Sequence, residues 1–206
     1  MSEHGLDLTS RDHRQTLWIV LALNLGLTVA FAVTGLIGDS SALLANGLNN
    51  ASDSLVFMIS LFALGRGQNW KTGAARFCAV MLLIFAAGIL MDAIRRYVGG
   101  SEPLGPMIMV MGAIGAVVNL LCLWLLVRLR HKDVNLRAAT TFSFNDFASN
   151  GGMLVAGGLV MWTGSNWPDL VVGVAVAAIA VFGAIEIFKD AERNKGDAPA
   201  RAGRKK

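Results

Sequence analysis

Six apolar stretches, each about as long as a bilayer is thick, limit what this chain can fold into. They cover residues 17–37, 42–64, 77–94, 104–127, 138–162 and 170–188. About 20 residues of helix cross a hydrocarbon core roughly 30 Å thick, whereas strands of a membrane barrel are about half as long and alternate in polarity. A helix also satisfies its backbone groups inside lipid. The pattern therefore predicts an all-α membrane protein with six transmembrane helices.

Composition supports the same class. Hydrophobic residues make up 54% of the 206 residues and charged residues 16%, whereas about 25% is the usual charged share of a soluble domain. We expect a polar N-terminal tail over 1–16, a membrane domain over 17–188, and a short basic tail without regular structure over 189–206. The first tail lacks the basic start, apolar run and cleavage site of a signal peptide, so the first helix is retained.

The distribution of positive charge predicts the orientation. Every Lys and Arg except Arg95 and Arg96 falls in the two tails or in the second-to-third and fourth-to-fifth connections, on one side of the predicted bundle. By the positive-inside rule both termini are cytoplasmic, in agreement with an even number of spans. The basic C-terminal tail then lies beside anionic lipid, and we expect no nucleic-acid partner. A bacterial inner membrane is the expected location.

Two carboxylates interrupt the apolar stretches. Asp53 lies about 18 Å of helix from the start of the second stretch, and Asp146 lies about 14 Å above Arg137 in the fifth. Both therefore come near the middle of the bilayer, where a carboxylate costs roughly 2.5 to 3.5 kcal/mol on insertion scales. Such residues face the protein interior and mark ion or substrate paths. The sequence thus predicts a shared site on helices 2 and 5.

The second helix presents one polar face. Asn46, Asn49, Asn50 and Asp53 are spaced i, i+3, i+4 and i+7 and lie on the same side of a helix. Asn49, one turn before Asp53, is the best candidate for an additional oxygen ligand. For Asn46 and Asn50 we favour hydrogen bonding between helices over ligation.

The fifth helix brings Ser143, Asn145, Asp146 and Asn150 into the membrane. Ser143 and Asn150 lie at i−3 and i+4 from Asp146. Each is a candidate for a fourth oxygen ligand or for a hydrogen bond that orients the Asp146 carboxylate. For Asn145 and Asn150 interhelical hydrogen bonding is again the preferred interpretation. The predicted metal set is therefore Asn49, Asp53 and Asp146, with the other polar residues as further ligands or supports.

Two carboxylates in a medium of low dielectric constant do not readily ionise together, so the empty site holds one or two protons. A divalent cation removes the repulsion between them and displaces those protons. Exchange of a divalent metal ion for protons is the cycle that this pair of charges favours. No organic cofactor is implied.

The segments that carry these residues resemble a known family. SALLANGLNNASD in helix 2, with VVNLL and VNLRAATTFSFNDFASNGG across helices 4 and 5, is similar to the cation diffusion facilitator family. The resemblance covers the whole membrane portion. It implies a homodimeric efflux protein that exchanges a divalent transition-metal ion for protons through a tetrahedral site on helices 2 and 5. The family's four ligand positions fall on Asn49, Asp53, Phe142 and Asp146.

Two departures from the family pattern bear on function. Phe142 stands at a family ligand position and cannot ligate, which leaves water, Ser143 or Asn145 to complete the set. Ligands that are all oxygen weaken a preference for zinc and admit manganese, iron, cobalt and cadmium. We also expect no counterpart of the family's cytoplasmic ferredoxin-like domain after helix 6, and therefore a homodimer that forms through the transmembrane helices.

Other functions stay open at the level of sequence. A proton-coupled exporter of organic cations would use the same two carboxylates, and the loss at Phe142 is compatible with a degenerate, non-transporting membrane subunit. Cys78 and Cys122 stand alone in apolar stretches and are expected to pack as small hydrophobes. No nucleophile, base and orienting residue, and no phosphate loop, can be assembled, so we expect no enzymatic activity.

Overall fold

A computed structural model describes residues 11–62, 67–129 and 136–202, without the side chains of 11–13, 60, 68–69, 71, 129, 136–145, 147, 190–191 and 193–202. Within these ranges the regular structure is six α-helices. They are α1 (Arg11–Ile37), α2 (Ser41–Phe62), α3 (Gln68–Gly99), α4 (Gly105–Leu129), α5 (Leu136–Thr163) and α6 (Trp167–Ala202). The prediction of an all-α chain with six helices is confirmed.

The helices extend beyond the apolar stretches that predicted them. α1 begins at Arg11 rather than at 17, and α3 begins at Gln68 rather than at 77. α6 continues to Ala202, so the prediction that regular structure stops at 188 is wrong. The first added residues, Lys189 to Arg193, include strong helix formers and prolong a helix that the membrane segment has already nucleated, whereas Gly196 and Pro199 further on do not favour it.

Four of the described helices are long and apolar enough to cross a membrane: 14–37 in α1, 72–99 in α3, 105–128 in α4 and 167–189 in α6. α2 and α5 are not among them. These two helices carry the polar residues singled out by the sequence, which lower their mean hydropathy. Six spans and cytoplasmic termini therefore stay predictions.

α2 is the centre of the bundle and packs against each of the other five helices. Every residue from 41 to 50 except Leu44 is buried. Gly47 has no side chain, and this allows α1 to approach closely. A Cβ at this position would lie only 3.3 Å from the Phe31 side chain. The polar face of α2 is thus surrounded by protein, which a helix with asparagines and an aspartate needs inside a membrane.

Apolar clusters lie at two levels along α2, with its polar residues between them. The first, called the upper cluster, consists of Leu27, Phe31, Ala42, Leu43, Ile108, Met111 and Met153. The second, called the lower cluster, consists of Leu17, Val20, Leu21, Phe57, Leu61 and Cys122. Since α2 contributes residues 42 and 43 to one and residues 57 and 61 to the other, its polar face, which begins at Asn46 and ends at Asp53, lies between them. At the same level Leu48 packs in a separate apolar cluster with residues of α3 and α6.

The connections α1–α2, α3–α4 and α5–α6 meet at one end of the bundle, called the loop end. The backbone N–H of Leu104 donates to the carbonyl of Gly38 at 3.0 Å, and Asn166 donates to Ser101 at 3.0 Å. Arg96, only 4% exposed, pairs with Asp39 of the α1–α2 turn and with Asp92. The interconnected loops hold the upper ends of the helices together.

The start of α2 is capped from two directions. Ser40 accepts a hydrogen bond from the Leu43 N–H at 3.1 Å, as a residue preceding a helix commonly does. The carboxylate of Asp169, in the first turn of α6 and fully buried, accepts from Ser41 N–H at 2.7 Å, from Ala42 N–H at 3.2 Å and from the Ser40 hydroxyl. Asp169 therefore ties α6 to the N-terminus of α2.

Candidate metal centre

α2 and α5 run antiparallel and meet at the level that the sequence predicted. The side-chain amide of Asn49 donates to Oδ1 of Asp146 at 3.1 Å. Asn49 is 8% exposed and Asp146 is half-buried. Two of the three predicted metal ligands, from helices far apart in sequence, are thus in direct contact.

Asp53 lies one turn further along α2 and is 8% exposed. Its Oδ2 atom is buried and has no hydrogen-bond partner in the part of the chain that the structure describes. Asp53 and Asp146 are close enough to interact electrostatically. A buried polar atom without a partner is costly, and more so when it belongs to a carboxylate. The structure therefore leaves a carboxylate oxygen available to a proton or a cation.

The three side chains offer a set of oxygen ligands. Asn49 uses its N–H₂ group toward Asp146, so its Oδ1 and the second oxygens of both aspartates are the acceptors. The N–H₂ group of Asn49 carries partial positive charge, so the Asp146 carboxylate already faces positive charge at this position. Among the described residues no group of three or more His, Cys, Asp and Glu has metal-binding spacing. The candidate centre thus rests on two carboxylates and one amide.

A second polar group lies one helical turn nearer the loop end and is centred on Asn46. Ser149 donates to Oδ1 of Asn46 at 2.7 Å, while Nδ2 of Asn46 donates to Oδ1 of Asn150 at 3.3 Å and also contacts the sulfur of Met153. Asn150 in turn donates to the Asp146 carbonyl at 2.9 Å. Asn46 and Asn150 therefore hydrogen-bond across α2 and α5.

Sequence reasoning missed two members of this second group. Ser149 and Met153 follow Asp146 by three and seven residues and so lie on the same face of α5. That spacing could have identified them, but a serine and a methionine in an apolar helix carry no chemical signal of their own. Only the position of Asn46 opposite them shows their role.

Two other polar residues of the bundle make fewer links. Asn50 donates to the Asn46 carbonyl at 2.9 Å within α2, and its Oδ1 has no partner among the described residues. Asn24 of α1 donates to the Val20 carbonyl at 2.9 Å and contacts the Cys122 sulfur at 3.7 Å. Cys122 packs in the lower cluster, in agreement with the expected apolar role.

The remaining predicted positions on α5 lie outside the described side chains. These are Phe142, Ser143 and Asn145. Their backbone belongs to α5, before Asp146, on the side of the site away from the loop end. Which group replaces the metal ligand that the family has at the position of Phe142 stays a prediction.

Comparison with known proteins finds a transmembrane domain family and several transporters that are similar to this chain. The sequence model of the cation efflux transmembrane domain matches residues 17–193. A zinc transporter ZitB of Yersinia pestis is 26% identical over 187 residues, which are 84% of this chain and 60% of that protein. ZitB of Escherichia coli is 24% identical over 89% of this chain and 63% of its own length.

A further relative, named a cadmium, cobalt and zinc/H(+)-K(+) antiporter, comes from Bacillus velezensis. It is 24% identical over 91% of this chain and 64% of its own length. The chain thus spans 60–64% of the length of these three relatives. Together with the four apolar helices, these matches make the chain an integral membrane protein.

Proposed function

Because the chain belongs to the cation efflux, or cation diffusion facilitator, family, we propose that it exports a divalent transition-metal cation in exchange for protons, through a site formed by Asn49, Asp53 and Asp146. The resemblance found in the two sequence motifs is confirmed by the domain match. The transported ion, the exchange with protons and the ligand set are the proposal.

The observation that carries the proposal is the buried Oδ2 of Asp53, which has no hydrogen-bond partner among the described residues and lies beside a second carboxylate. A stabilising role alone would give that oxygen a donor, as Asp169 has in its three hydrogen bonds. An ion path instead needs a carboxylate that can release one cation and take up another. Asp53 therefore fits an ion path, whereas Asp169 fits a stabilising role.

Exchange follows from the electrostatics of the pair. Two carboxylates without a cation repel each other, and one or two protons relieve that repulsion. A divalent ion relieves it as well, so binding the ion drives protons off and binding protons drives the ion off. Each occupied state brings the buried charge near neutral, which lowers the cost of moving it within the bilayer. The relative from Bacillus velezensis is itself named an antiporter of H(+).

The relatives' names direct the choice of ions. They include zinc, cadmium and cobalt, which we propose as substrates here. Oxygen ligands also suit manganese and iron(II), so these two belong in the same test. Both termini in the cytoplasm, a bacterial inner membrane and a homodimer formed through the membrane helices are part of the proposal.

Uptake into inverted membrane vesicles with an acidic lumen tests the function. We expect the wild-type chain to accumulate at least one of the five metals only when the pH gradient is present. Asp53→Asn and Asp146→Asn should each lower uptake by at least about tenfold, since even residues that merely support a metal ligand are worth about 10–100-fold. Glu102→Gln, an exposed carboxylate at the loop end, is the matched control and should transport normally.

Two outcomes would contradict the proposal. Unchanged uptake in both aspartate variants would remove the site assignment. Absence of uptake for all five metals in the wild type, with protein present in the membrane, would favour the alternatives of an organic-cation exporter or a non-transporting subunit.

A further inference from the structure

Three side chains of α5 converge on the amide of Asn46. Ser149 donates to its oxygen, and Asn150 Oδ1 and the Met153 sulfur both contact its nitrogen. The four residues are 2% exposed or less. Fully buried groups that converge in this way form a closed polar cluster, here called the upper amide cluster.

The upper amide cluster is the next polar group after the carboxylates along the contact between α2 and α5, here called the α2–α5 seam. Asp53, Asn49 and Asn46 follow one another by about one turn each toward the loop end. Beyond Asn46 the seam enters the upper cluster, to which Met153 itself belongs. An ion that leaves the carboxylates toward the loop end along this seam meets the upper amide cluster first.

The Asn46 nitrogen occupies a place suited to a cation. It carries partial positive charge and faces two acceptors, an amide oxygen and a thioether sulfur. Rotating the amide by half a turn would bring the Asn46 oxygen to these two acceptors and leave three acceptors without a donor. Ser149 tolerates both orientations, because its hydroxyl can donate to an oxygen or accept from an N–H₂ group. A cation at this position would satisfy the three acceptors of the rotated arrangement.

Space for the Asn150 amide is provided by α4. A Cβ on Gly115 would lie 2.5 Å from Oδ1 of Asn150 and 2.8 Å from the Phe31 ring. The distances show that a side chain at this position would displace the amide oxygen. The Asn150 acceptor is therefore held at the cluster by the close approach of α4 and α5.

We propose that Asn46, Asn150 and Met153 form a second, uncharged binding station for the divalent cation, with Ser149 orienting the Asn46 amide. The proposal rests on the proposed function and adds to its site. Neutral ligands bind a divalent ion more weakly than two carboxylates do, so the station passes the ion on rather than retaining it. A thioether ligand favours softer ions, which gives cadmium and zinc an advantage over manganese at this step.

The first test changes the charge of the station in purified protein. Asn46→Asp adds a carboxylate to the three neutral groups and should raise the number of cadmium ions bound per chain at equilibrium from one to two. Asn50→Asp is the matched control, because Asn50 lies on the same helix but bonds only within α2; it should still bind one ion. The proposed station would be refuted if Asn46→Asp protein bound only one ion, or if Asn50→Asp protein also bound two.

The second test removes the sulfur. Met153→Leu nearly conserves volume and should lower the ratio of cadmium to manganese turnover severalfold, because the soft thioether ligand is lost. Equilibrium cadmium affinity should stay unchanged, because it is set by the carboxylates. Met111→Leu, in the same upper cluster but outside the amide cluster, is the control. Equal changes in both variants would refute the role of Met153.

The two proposals fail in different ways. If Asp53→Asn leaves metal binding and uptake intact, the carboxylate site is wrong whatever the station does. If Asp53→Asn abolishes uptake but Asn46→Asp and Met153→Leu behave like their controls, the carboxylate site is supported and the second station is refuted. Circular dichroism of each purified variant establishes that equal amounts of folded protein are compared.

Discussion

Asp169 joins two helices by a carboxylate that only accepts hydrogen bonds, and removing it should have a measurable cost. Its oxygens accept from two backbone N–H groups at the start of α2 and from the Ser40 hydroxyl. Neutral hydrogen bonds between membrane helices average only about 0.6 kcal/mol each. Bonds to a charged group contribute about 1.5–3 kcal/mol, and a negative charge at a helix N-terminus adds to this.

For Asp169→Ala we therefore expect the free energy of unfolding to fall by about 3 kcal/mol, less than the sum of three charged bonds because such losses are not additive. Asp169→Asn keeps one oxygen acceptor and should lose about half as much. The free energy of unfolding is measured by titrating the protein from mild detergent into a denaturing detergent. Glu102→Ala, at an exposed carboxylate of the loop end, is the control and should change it by less than about 0.5 kcal/mol.

A loss below about 1 kcal/mol for Asp169→Ala would refute the reasoning, since it would place these bonds in the class of weak neutral contacts. Equal losses for the alanine and asparagine variants would show that the charge, and not the number of acceptors, is decisive. An asparagine variant as stable as the wild type would show that one neutral acceptor suffices.

Two further predictions concern the same end of the bundle. Arg96→Ala should destabilise the protein by about 1–2 kcal/mol, because Asp39, 45% exposed, loses its ion pair with the buried guanidinium while Asp92 keeps its pair with Arg95. Arg95→Ala, at a side chain 73% exposed, should cost under about 1 kcal/mol in the same unfolding titration. Gly173→Ala should cost about 1–3 kcal/mol, because the added Cβ would lie 2.8 Å from the backbone carbon of Ser41, which cannot move aside as a side chain could. A Gly173→Ala protein as stable as the wild type would show that α6 and α2 can separate freely at this point.

Much of the secondary structure is readable from the sequence because lipid imposes a simple rule. Apolar stretches of sufficient length become helices, and all six predicted helices are present. Their ends were predicted less well, since apolarity ends at the membrane surface while a helix can continue into water. The extension of α6 to Ala202 is the largest such difference. Local spacing also carries information: Asp92 pairs with Arg95 and Arg96, three and four residues further on, which lie on the same helix face.

The sequence by itself determined which side chains are expensive to bury in lipid and which of them share a helix face. It therefore identified Asn49, Asp53 and Asp146 as candidates, because a carboxylate in an apolar helix needs a reason to be there. Contacts between residues about 100 positions apart depend on how the helices rotate and pack, which no local pattern encodes. The tertiary structure alone decided that Asp146 meets Asn49, that one oxygen of Asp53 has no partner among the described residues, and that Asn46 meets Met153.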